Sequence, residues 1–180
     1  MIFGEAPGPR GADQSGIPFW GDRAGLPVYR ALEAAGLAQV PAAAYGAWDG
    51  ARLRELGLAP ELRLAALSNA YPCCPSSDRV RFRAPSDAEL LSAENLARLR
   101  GELEAAAARC PGILRVIALG RRAQWLLQRG SWPAMELHGL PHPSAQGLLQ
   151  AAPGKGKGLK LDDLRQAWEA RLASLLGGVA

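Results

Sequence analysis

The feature that most constrains this chain is how early its backbone becomes irregular. After Met1-Ile2-Phe3, the stretch from Gly4 to Gly25 holds six glycines and three prolines, with Phe19 and Trp20 side by side. Glycine serves where the backbone needs positive φ or must lie against a ligand. Proline fixes φ and withholds a donor. The combination describes a stiff, shaped lining, and ordinary connections run only ~4–6 residues.

The 180 residues are enough for a real core and are read as one domain, 1–180. With 48% hydrophobic and 21% charged residues the composition is that of a globular protein. No apolar run approaches the ~20 residues of a membrane span, and no signal peptide is expected before Gly4. Cys73, Cys74 and Cys110 are an odd set with two adjacent, which is no disulfide framework, so a reducing cytoplasmic setting is expected. The formal net charge of +4 permits a polyanionic partner.

Periodicity divides the rest. Leu26, Tyr29, Leu32 and Ala35 predict a helix from Gly25 to Gly36, and a short helix is expected at Asp49–Leu56. Arg63–Ser68 reads as a buried strand running into a dense loop, Asn69–Ser77. Arg79, Arg81 and Arg83 alternate with Val80 and Phe82, the pattern of an edge strand or an extended arm. A leucine stripe predicts a helix over Ser92–Arg109. Ile113–Leu119 is the clearest strand, followed by a helix over Arg122–Gln128. A weaker strand lies within Trp132–Leu140, a flexible basic loop covers residues 153–160, and a final helix runs from Leu161 to Leu176. This alternation predicts an α/β fold, a three-layer αβα sandwich around a short, mostly parallel four-stranded sheet. Ligands of such sheets bind beyond the carboxyl ends of the strands. The loops at Gly4–Gly25, Asn69–Ser77 and His142–Ser144 should meet there.

Those loops resemble the uracil-DNA glycosylase superfamily. Gly4-Glu5-Ala6-Pro7-Gly8, then Gly16-x-Pro18-Phe19-x-Gly21, Asn69, and His142-Pro143-Ser144 fall in that superfamily's order and rough spacing. The first segment has the wording of the iron–sulfur branch called family 4. The spacing from Gly8 to Gly16 and the Gly21-Asp22-Arg23 run are similar to the broader-specificity family 5. Both branches carry four cluster cysteines; three cysteines, two of them adjacent, cannot supply four thiolates, and no metal or other cofactor is expected. An abrupt start, without an N-terminal helix found in relatives, is also expected.

The resemblance implies roles. Phe19 would stack on a flipped base, in a pocket whose backbone comes from Gly4, Glu5 and Ala6. Asn69 would read the base edge, since a carboxamide offers a donor and an acceptor together. His142 would donate to the base oxygen that gains charge as the glycosidic bond breaks, with Ser144 beside it. A carboxylate should position water; Ala6 stands where the best-known branch has Asp, so Asp13 and Asp22 remain, with Glu5 a weaker choice. Leu148, in a loop over Ala145–Leu149, would wedge into the duplex, and Lys155 and Lys157 would meet phosphates. The implied protein is a monomeric DNA-repair glycosylase excising uracil, with other deaminated bases as further substrates. The alternative is a superfamily member that binds nucleic acid or a free base without cleaving it.

Overall fold

The computed structural model describes residues 1–75, 78, 81 and 83–177. The first strand, β1 (Ile2–Gly4), leads into the glycine-rich loop, which contains a single-turn helix α1 (Ala12–Ser15). Helix α2 (Leu26–Ala34) follows, with Gly36 in the left-handed region at its end (φ 71°). Strand β2 (Ala38–Gln39), helices α3 (Ala42–Gly46) and α4 (Gly50–Glu55), and strand β3 (Glu61–Leu62) complete the excursion. Asp49 caps α4 by accepting from the Arg52 amide at 3.1 Å. The chain re-enters the main sheet at β4 (Leu67–Asn69), then forms α5 (Asp87–Leu90) and α6 (Ala93–Ala107). Strand β5 (Leu114–Leu119), helix α7 (Arg121–Arg129) and strand β6 (Met135–Leu140) alternate directly. Helix α8 (Ala145–Ala151), a 3-10 turn over Pro153–Gly156 and helix α9 (Leu161–Gly177) end the described chain.

The main sheet has the order β4-β1-β5-β6, and every pairing in it is parallel. β2 and β3 form a separate antiparallel pair. β1 has only three residues but lies in the middle, with Gly4 opposite Asn69 and Ile2 opposite Ile117. A central strand draws hydrogen bonds from both sides, which lets it be short.

Alternation along the strands builds two cores. Ile2, Ile117 and Leu119 face α2, α4, α8 and α9, where Val28, Leu32, Leu53, Leu148 and Trp168 are buried. Phe3, Val116 and Ala118 face α6 and α7, where Leu99, Leu103, Ala123 and Leu126 are buried. Helices therefore cover both faces, the αβα sandwich that the sequence predicts. No helix among the described residues is long and apolar enough to cross a membrane.

Three expectations change. The strand read at Arg63–Ser68 begins only at Leu67, because Leu64 is 91% exposed and takes a left-handed φ of 52° that interrupts extended chain. The stretch read as the loop Ala145–Leu149 is helical, started by Ser144, whose hydroxyl accepts from the Gly147 amide at 3.1 Å. Residues 153–160 contain the 3-10 turn, with Gly154, Lys155, Gly156 and Gly158 all at positive φ. Of the proposed arginine arm, Arg79, Val80 and Phe82 lie outside the described residues.

Candidate functional site

All four strands of the main sheet point the same way, so their carboxyl ends share one edge. A cavity of about 1240 Å³ opens there, lined by Glu5, Phe19, Asp22, Asn69 and His142 among others. The three loops singled out from the sequence thus meet at one place.

The glycine-rich loop is held rigidly. Asp22 turns its carboxylate inward, accepting from the Ala12 amide at 3.1 Å, with the neighbouring Gly8 and Gly11 amides also favouring its charged form. A Cβ on Gly8 would lie 2.2 Å from Asp22 Oδ1, and one on Gly11 would lie 2.3 Å from it, so both positions need glycine. Tyr29 donates its hydroxyl to Pro18 O at 2.9 Å, and Trp48 donates its indole N–H to Asp22 O at 2.7 Å. Trp20, Tyr29 and Trp48 pack edge to face underneath.

These anchors place Phe19 at φ 64°, a left-handed conformation that costs a residue with a side chain about 1–3 kcal/mol. The strain is used to turn the ring toward the end of β1. A Cβ on Gly4 would lie 2.8 Å from Phe19 Cζ and 2.5 Å from Asn69 Oδ1. The aromatic ring and the carboxamide therefore meet over the bare backbone of Gly4. Phe19 is 6% exposed, packed into the core on one side and lining the cavity on the other.

His142 follows β6 and enters the same cavity. Its loop is fixed from behind, where Trp168 donates its indole N–H to Pro141 O at 2.9 Å. The Ser144 amide donates to His142 Nδ1 at 3.3 Å. A nitrogen that accepts carries no proton, so the neutral ring holds its proton on Nε2. Burial pushes the His142 pKa below its ordinary 6.5, which favours that neutral form. Ser144 lines the cavity, but its hydroxyl is committed to capping α8.

The carboxylates fall in different places. Asp22 lines the cavity with its oxygens turned to the loop's own amides, and burial nevertheless raises its pKa. Asp13 is exposed on α1 and lines a smaller cavity of about 300 Å³ on the other side of Asn69. Glu5 is half-buried and lines the large cavity beside Ala6; burial raises its pKa, and the Arg122 guanidinium works against that rise. Lys155 and Lys157 are exposed. Leu148, expected as a wedge, is 5% exposed and packs in the core beneath α8.

Sequence reasoning missed the wall made by Arg122, Gln124 and Trp125 of α7. The signal was present, because the turn after the clearest strand had to reach the same edge. Gln124 donates to Leu140 O at 2.8 Å and so fixes the end of β6. Arg122 reaches across to Asp87 at 2.7 Å and to the Pro85 carbonyl.

The three cysteines do not lie together. Cys73 and Cys74 follow β4, whereas Cys110 precedes β5 at the opposite end of the sheet, near the Met1 amine. A comparison with curated proteins gives no match. The sequence model of the Uracil DNA glycosylase superfamily matches residues 1–170, which span β1, the glycine-rich loop, Asn69 and His142. The chain belongs to the uracil DNA glycosylase superfamily.

Proposed function

We propose that this protein is a DNA-repair glycosylase that extracts uracil from the strand and hydrolyses its N-glycosidic bond. The observation that carries the reading is the meeting of the Phe19 ring and Asn69 Oδ1 over Gly4, in a cavity that His142 also lines. A base stacked on Phe19 would present its edge to the Asn69 carboxamide, whose paired acceptor and donor complement the N3–H and O4 of uracil. Cytosine reverses that pattern.

Bond cleavage leaves negative charge on the departing base. Nε2–H of a neutral His142 would donate to the base oxygen that gains it, and one such donor is worth roughly 2.7–4 kcal/mol of barrier. The sugar gains positive charge as the base departs, and water then adds to it while giving up a proton. The geometry favours Glu5 as the carboxylate that steers that water, because Asp22 is committed to loop amides and Asp13 lies on the other side of Asn69. Asp22 then acts by shaping the loop that carries Phe19. Lys155 and Lys157 remain proposed phosphate contacts.

The test is incubation with single- and double-stranded oligonucleotides carrying uracil, hypoxanthine or xanthine, followed by cleavage of abasic sites. Uracil-dependent strand cleavage supports the reading. A folded protein that yields no abasic site from any of them would leave the binding-only alternative.

A further inference from the structure

β4 is the outer strand of the main sheet, and the chain leaves it at Asn69. The Asn69 and Ala70 carbonyls therefore need partners from outside the sheet. The side chains of α6 supply them. Arg98 Nη2 donates to Asn69 O at 2.9 Å and to Ala70 O at 3.3 Å. Asn95, 4% exposed, donates to Ala70 O at 2.9 Å and accepts from Arg98 Nη2 at 2.9 Å. Glu102 accepts from Arg98 Nη1 at 2.5 Å and from the Ser68 hydroxyl at 2.6 Å. The guanidinium is thus oriented on both sides and grips the backbone that bears the Asn69 side chain. From the other side, the Ala70 amide donates to Gly4 O at 2.8 Å.

Asn69 separates two spaces. Its side chain meets Phe19 at the large cavity, while Arg98, Glu102, Ser68 and Asp13 line the smaller one with it. We propose that Arg98 is a positioning residue, which reaches no base itself but fixes the direction of the Asn69 carboxamide through the Asn69 and Ala70 carbonyls, with Glu102 and Asn95 holding the guanidinium. A planar fork with several donors in fixed directions suits that task, and a lysine point charge does not. This inference rests on the reading of Asn69 as the residue that meets the base.

The experiment combines kinetics with nuclear magnetic resonance of the Asn69 side-chain amide, assigned by its loss in Asn69→Asp. Arg98→Lys keeps the charge and Arg98→Ala removes the group; both are compared with wild type by thermal melting. The expected result is a fall in kcat of at least about tenfold in both variants, with KM for a uracil oligonucleotide within about twofold. The Asn69 amide signals should shift, and added methylguanidinium, entering through the smaller cavity, should recover part of the Arg98→Ala loss. Unmoved Asn69 signals in a folded Arg98→Lys protein overturn the inference, whatever the rate does. Should Arg98→Ala fail to fold, the Arg98→Lys pair of readouts decides alone. Should wild type excise no uracil, the functional reading falls, and the resonance shift still decides whether Arg98 sets Asn69.

Discussion

The Ser144 amide donates to Nδ1 of His142 at 3.3 Å, and this one bond sets which nitrogen of the ring can act as a donor. A proton arriving on Nδ1 would face the Ser144 N–H and break the arrangement. His142→Gln keeps a donor of similar reach and should retain part of the activity. His142→Ala should lower uracil excision by roughly 10²–10³ in single-turnover assays, the loss typical of a removed oxyanion donor.

The same histidine makes stability depend on pH. Its folded pKa lies below the ordinary 6.5 because burial disfavours the charged ring. In the unfolded chain the ring takes up a proton as the pH falls below 6.5, whereas the folded ring resists, so stability is lost on the way down to the folded value. Melting curves across that interval should flatten in His142→Ala relative to wild type.

Gly4 is where the aromatic ring and the carboxamide meet. A methyl there would lie 2.5 Å from Asn69 Oδ1, inside any tolerated contact. Gly4→Ala should therefore displace Asn69 or Phe19 and reduce kcat/KM for uracil DNA by about a hundredfold or more, as misplacement by an ångström does. Wild-type kinetics in that variant would show that the two side chains do not jointly contact the base.

Glu5 carries opposite costs for folding and chemistry. Burial raises its pKa above the ordinary 4.5, so an unfolded glutamate ionises where the folded one resists, and stability declines as pH rises from 4.5 through the raised value. Glu5→Gln should raise the melting temperature at pH 7. It should also lower the excision rate by about 10²-fold or more if Glu5 steers the water. A faster or unchanged rate would return that role to Asp13 or Asp22.

Asp22 and Asp13 should separate cleanly. Asp22→Ala leaves the Ala12 amide without its acceptor and should destabilise the protein by about 1–3 kcal/mol in urea unfolding, with excision falling as the loop loosens. Asp13, exposed on α1, should tolerate Ala with little change in stability.

The parts legible in the sequence were those with a strong local pattern. The leucine stripe of α6 and the apolar run of β5 announced themselves, and the rule that parallel strands share a carboxyl edge placed Gly4, Asn69 and His142 together. β1 was obscure because three residues carry no period; its identity comes from neighbours on both sides. α8 was hidden because Ala145-Gln146-Gly147-Leu148-Leu149 has a glycine and no charged face, and its burial turns Leu148 inward. Arg98 gave no signal at all. An arginine on the polar face of a helix looks like any solvated charge, and only the path of β4 brings the Asn69 and Ala70 carbonyls to it.

The central claim is that Phe19, Asn69 and His142 form one pocket for an extracted uracil. Single-turnover excision from a uracil-containing duplex, measured for wild type and for Asn69→Ala alongside melting curves, tests it most directly. The account predicts abasic product from the uracil strand with wild type, none from the matching cytosine strand, and at least about a tenfold slower rate in a fully folded Asn69→Ala protein. Equal rates in the two proteins, or no uracil-dependent product from a folded wild type, would contradict it.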